Sequence, residues 1–223
     1  NNNYDVILIN TTKYLENEDK YLIENFNFSK LDKYTTKATE KKLIDNNMCG
    51  RAWRLVTRRK FLLDNKLFFT YGIFHEDEEW VTKVLNLYKS IFYSSKMRYF
   101  YRKHNNSIMS SKSFKNYDDL LTVTIKLFDF LTNKINYSKY TRYVIFRCIR
   151  NSYGNYYKFN NRERVLLDSW YIKNKKIFVY GIKYSFLLML YYLIFGYKEG
   201  ISLYRNHFKN FNKRHDVICD NFK

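Results

Sequence analysis

His75-Glu76-Asp77-Glu78-Glu79-Trp80 sets four carboxylates side by side in a chain of 223 residues with 40 Lys and Arg against 21 Asp and Glu. Carboxylates so placed can accept a proton from an attacking hydroxyl, hold a divalent cation, or cap the free N–H groups of a helix. The run follows Gly72, and Trp80, Val81, Val84, Leu85 and Tyr88 come after it at helical spacing. That spacing predicts an amphipathic helix with an acidic first turn. Acidic residues there complement the helix dipole, for about 0.3–1 kcal/mol each. This accounts for two carboxylates more easily than for four. Successive helical residues point about 100° apart, so some of the four must face inward. On pattern alone, catalytic base and helix cap both stand.

A second constellation is Tyr101-Arg102-Lys103-His104-Asn105-Asn106-Ser107. The planar fork of Arg102 suits the oxygens of a diphosphate, or an ion pair with a helix carboxylate. His104 is either a metal ligand or an exposed loop histidine. Trp53 and Tyr101 are candidates for a substrate-lining surface, with core packing as the plainer reading. Glu78 and Glu79 read as cap or surface charges, and His75, His207 and His215 as surface residues. The chain holds no GxGxxG, GKS or HExxH, so no other chemistry announces itself by motif.

The elements that must position these groups follow from periodicity. "YDVILIN" (4–10) is a short β-branched run and predicts a buried strand; 36–47 predicts a helix closing at Gly50. A strand near Trp53 to Val56, a short helix over Arg59 to Asp64 and a strand at Leu67 to Thr70 lead into the acidic helix. "KMRYFYRKH" alternates as a strand does, and 105–113 reads as a polar loop. From Phe114 the period is helical throughout: 120–131, 143–157, 162–171, 184–195 and 203–211. Residues 1–113 therefore read as α/β and 114–223 as an all-helical extension.

The stretch "WRLVTRRKFLLDNKLFFTYGIFHEDEEW", with "YFYRKHNNSIM" some twenty residues later, resembles the C-terminal half of the family 2 glycosyltransferase domain, of the type that builds bacterial capsular and other surface polysaccharides. The resemblance covers about residues 1–110. It implies a GT-A, Rossmann-like fold, inverting transfer from a nucleotide-diphosphate-sugar to a saccharide or lipid-linked acceptor, and a divalent cation, Mn or Mg. Asp77 falls on the aspartate that serves as base in the family's "ED" motif, with Glu76 as its companion. His104 falls on a metal-ligand histidine; Arg102, Trp53 and Tyr101 stay, on their residue types, candidates for contact with substrate. The nucleotide-binding strand–helix half and its "DxD" motif are absent, so the chain reads as part of a longer enzyme, possessing little of the nucleotide site and inactive if alone.

A formal charge of +19 favours anionic partners. A basic, aromatic-rich nucleic-acid module is one alternative, but no RRM, KH, helix-turn-helix or zinc-finger signature is present and acidic residues at the site would repel phosphate. A non-catalytic membrane or scaffold module is the other. Cys49, Cys148 and Cys219 form no CxxC pair, which points to a reducing compartment. The stretch 184–197 carries no charge and lies between lysines, followed by the basic "YRNHFKNFNKRH". As a helix it is too short to cross a bilayer, which leaves two readings: a buried core helix, or an interfacial helix on the cytoplasmic face of the cell membrane.

Overall fold

The computed structural model describes residues 4–24, 36–103, 113–133 and 138–220. The chain divides into two compact units: residues 1–113 with 129–144, and residues 114–128 with 145–223. The first is α/β and the second helical.

In the first unit β1 (Val6–Leu15) is the central strand of a four-stranded mixed sheet. Its β-branched and aliphatic start is buried, with Val6 and Leu8 fully enclosed. β2 (Lys20–Glu24) and β3 (Leu55–Thr57) share one edge of β1, both antiparallel. β4 (Ile91–Lys103) runs parallel along the other edge. The β1–β4 ladder steps from Ile9 opposite Ser94 to Asn10 opposite Arg98, so three β4 residues bulge. An odd insertion reverses which residues face which side. Tyr99 and Tyr101 therefore lie on the opposite face from Tyr93, which their alternation would otherwise put beside them.

Between β3 and β4 run α2 (Arg59–Asp64) and α3 (Glu76–Leu87). α3 buries Trp80, Val81, Val84 and Leu85, the face its sequence period requires. Asp5, just before β1, is a buried anchor. It accepts hydrogen bonds from Arg58 and from the backbone N–H of Lys89 (2.9 Å) and Ser90 (3.2 Å), tying the ends of β3 and α3 to the start of β1. The residues 139–144 that begin α5 (Lys139–Tyr153) also pack here: the Asn86 side-chain amide donates to Thr141 at 2.8 Å, and the Tyr140 hydroxyl donates to the Met48 carbonyl. α1 (Thr36–Asp45) completes the unit.

Two sequence expectations change. Trp53 lies in a 3-10 turn, Ala52–Arg54, rather than in a strand, and β3 starts only at Leu55. Leu67 to Thr70 is not part of the sheet; it meets α3 at Trp80 instead, which donates to the Leu67 carbonyl at 3.3 Å and stacks on Phe69 at 4.9 Å.

The second unit contains the first part of α4 (Phe114–Thr132), the rest of α5, then α6 (Asn161–Lys173), α7 (Lys175–Ile182) and α8 (Phe186–Asp220). α6 opens with a capping box: the Asn160 side chain accepts from the Glu163 N–H, and the Glu163 carboxylate accepts from the Asn160 N–H, both at 3.0 Å. α7 sits tightly on α5 because Gly181 lacks a side chain; a Cβ there would lie 2.6 Å from Ile149. α8 is broken at Gly196, whose φ of 75° and ψ of −178° are not helical and suit only glycine. Nineteen residues of straight helix would hold Ser185 and Tyr204 about 28 Å apart. Their hydroxyls are 3.1 Å apart. The chain reverses at Gly196, with Gly200 against the Tyr191 carbonyl, where a Cβ would sit 2.5 Å from the oxygen.

Candidate active site

The acidic run forms the first turn of α3, as its sequence position predicts. Gly72 (φ 80°) makes the turn, and His75 adopts the left-handed region (φ 64°) at the N-cap. A non-glycine residue in that conformation is uncommon. It sets the angle at which Glu76 and Asp77 enter the helix.

The four carboxylates have different environments. Asp77 is half-buried, and its carboxyl is pushed up to about 7, first by burial and then by the neighbouring charges of Glu78 and Glu76; the N–H groups of Glu78 and of Asp77 itself oppose the shift. A carboxyl in that range exchanges protons near neutral pH. Glu79 is 3% exposed, accepting from the Thr70 hydroxyl at 2.7 Å and pairing with Lys83. Glu78 is half-buried and lies over Gly50 (φ 54°), where a Cβ would be 2.5 Å from its carboxyl carbon. Glu78 and Glu79 are therefore not the surface charges their position suggested. The charges of Glu78 and Glu76, not that of the Lys83-paired Glu79, raise the cost of ionising Asp77.

Beside the helix start, the 3-10 turn carrying Trp53 packs against α3. The Trp53 ring stacks on two β4 tyrosines, Tyr99 at 4.9 Å and Tyr101 at 5.3 Å between centroids. Arg54, 1% exposed, sets its guanidinium 5.0 Å from the Trp53 centroid, a cation–π contact that helps hold the indole in place. Trp53 and Tyr101 thus belong to one aromatic surface. Tyr99 joins them and was not singled out from the sequence, although the Tyr-Phe-Tyr alternation contained the signal.

Arg102 points elsewhere. It is exposed and lies 4.0 Å from Glu16, also exposed, a pairing worth little. By alternation it occupies the other face of β4 from Tyr101. His104 lies outside the described residues. Among the described residues no three His, Cys, Asp or Glu side chains gather as a metal site.

No family model matches the chain. No curated protein is significantly similar to it. Among solved structures, the chain is similar to residues 1–349 of S. aureus TarS in complex with UDP-GlcNAc, with a TM-score of 0.57 at 13% identity. The match takes in 92% of this chain and 60% of that one, so the chain spans less than two thirds of the structure it resembles. The likeness is one of fold.

Proposed function

We propose that the protein is an inverting glycosyltransferase using a nucleotide-diphosphate-sugar, with Asp77 as the base. The observation that carries this is the Asp77 carboxyl, held near 7 at the start of α3. In the proposed step the acceptor hydroxyl oxygen bonds to the anomeric carbon while its proton passes to the Asp77 carboxylate. The bond from that carbon to the diphosphate oxygen breaks, and its electron pair leaves with the diphosphate. Glu76 and Glu78 keep Asp77 basic enough for the task. Trp53, Tyr99 and Tyr101 supply flat apolar faces for a sugar ring or a nucleobase. The acceptor expected is a saccharide, free or lipid-linked, of the kind assembled into surface polysaccharide.

The divalent cation expected from the resemblance would rest on His104, and Arg102 would have to leave Glu16 to reach a diphosphate. The described donors do not form a cation site, so no step here passes through one. Replacing His104 by Ala and measuring the Mn or Mg concentration needed for transfer tests that part; an unchanged requirement removes His104 from the site.

The main test is transfer by the full-length protein from a panel of nucleotide-diphosphate-sugars. Asp77→Asn should keep the fold and donor binding and lower turnover by about two to four orders of magnitude. Near-normal turnover in a folded variant would overturn the assignment.

A further inference from the structure

The break at Gly196 leaves a helix of ten residues, Phe186 to Phe195, on the outer arm of a helical hairpin. By length and composition Phe186–Tyr204 is the one segment among the described residues apolar enough to cross a membrane. The chain reversal forbids that. A straight run of ten residues is about 15 Å long, half of the roughly 30 Å hydrocarbon core.

What the hairpin does instead is display a stripe. Phe186 is 84% exposed, Leu193 67% and Ile194 61%, and Leu190 joins them. Their spacing of four, seven and eight places them on one helix face. The opposite face is used: Leu188 is buried, Tyr191 meets the Tyr204 ring, and the Tyr192 hydroxyl is 3.1 Å from that of Tyr171. Large apolar side chains aligned outward on a helix mark a contact surface.

Charge identifies the occupant. Residues 173–198 hold Lys173, Lys175, Lys176, Lys183 and Lys198 and no carboxylate. Lys173, Lys175, Lys176 and Lys183 are exposed. A second copy would bring the same lysines, and the same net charge of +19, against this face. An anionic lipid surface meets both features at once, taking the apolar stripe into its acyl boundary and the lysines among its headgroups. We propose that this hairpin docks, without crossing, on an anionic leaflet through Phe186, Leu190, Leu193 and Ile194, with the exposed Lys173, Lys175, Lys176 and Lys183 meeting its headgroups.

Flotation of the full-length protein with vesicles tests this without any sugar donor, so its result is separate from that of the transfer assay. Equal mixtures of phosphatidylcholine and phosphatidylglycerol should carry the protein up, and phosphatidylcholine alone should not. Leu193→Ser with Ile194→Ser, both exposed, should keep the melting temperature and weaken binding by about tenfold or more. Lys175→Glu with Lys176→Glu should weaken binding to the anionic vesicles alone, as should added salt. The proposal is overturned if the protein stays at the bottom with anionic vesicles at low salt. It is equally overturned if both double variants float like the parent, or if the parent is a dimer in solution that Leu193→Ser with Ile194→Ser makes monomeric.

Discussion

Glu78 lies across Gly50, with its carboxyl carbon 2.5 Å from the point where a side chain on Gly50 would begin. The glycine thus makes room for the charge that, after burial, contributes most to raising Asp77. Gly50→Ala should push Glu78 aside and move the acidic limb of the pH–activity profile to lower pH. The left-handed backbone at Gly50 adds a penalty of about 1–2 kcal/mol for any other residue, read as a lower melting temperature. An unshifted profile would separate Glu78 from the tuning of Asp77.

Asp77 makes two linked demands. As a base it works deprotonated, so kcat/KM should fall as pH drops below about 7. Its folded pKa is raised above the unfolded value, so the stability it contributes is present below the unfolded pKa and fades as pH rises toward 7. Asp77→Asn should therefore melt higher than the parent at pH values above the folded pKa while losing transfer. A variant that is both inactive and less stable there would point to a structural carboxylate.

Glu79 holds structure rather than chemistry. It satisfies Thr70 and Lys83 within the protein, so Glu79→Ala strands a half-buried hydroxyl and ammonium. The expected loss is about 1–3 kcal/mol in denaturant unfolding, with the pH dependence of activity retained.

Much of this was legible. The β-branched run before Asn10 pointed to β1, and α2 falls over Arg59–Asp64 as its pattern requires. The acidic helix was readable from its apolar spacing. β2 was not, because Lys-Tyr-Leu-Ile-Glu shows no alternation and is held only by pairing with β1. The 3-10 turn at Trp53 was hidden because an aromatic beside Leu and Val imitates a strand. Glu79 escaped for another reason: a carboxylate reads as exposed until its partners, Thr70 and Lys83, are known. The chain reversal at Gly196 depends on Gly200 meeting Tyr191, a contact with no local signature.

The aromatic surface should bind substrate rather than carry out chemistry. Trp53→Leu removes the stacking face on Tyr99 and Tyr101, and should raise KM for donor or acceptor several-fold while leaving the pH profile in place. Tyr99→Phe keeps the ring and should be near neutral. Loss of kcat alone would place Trp53 closer to the reacting atoms.

Asp168 clamps the chain just beyond the Gly196 break. It accepts from Tyr197 and Lys198, both at 2.8 Å, and from Tyr156 at 3.0 Å. Burial alone would raise its carboxyl, but the hydrogen bonds from Lys198, Tyr197 and Tyr156 outweigh it and leave the pKa lowered. The stability it contributes should be present above the unfolded value of about 3.9 and lost as pH falls through the folded one. Melting curves of Asp168→Asn should lack that acidic step. Retention of the step would assign it to other carboxylates, Asp5 first.

The parallel pairing of β1 with β4 also governs how the protein comes into being. Val6 is a neighbour of Ile91 and Leu15 of Lys103, yet a ribosome adding about 5–20 residues per second needs several seconds to go from one strand to the other. Through that interval β1 has an apolar flank and an unpaired row of backbone groups. Non-local pairing of this kind closes slowly. Nascent chains cut off ahead of Ile91 would keep that edge bare, and association through it, strand to strand, is the failure that the topology invites.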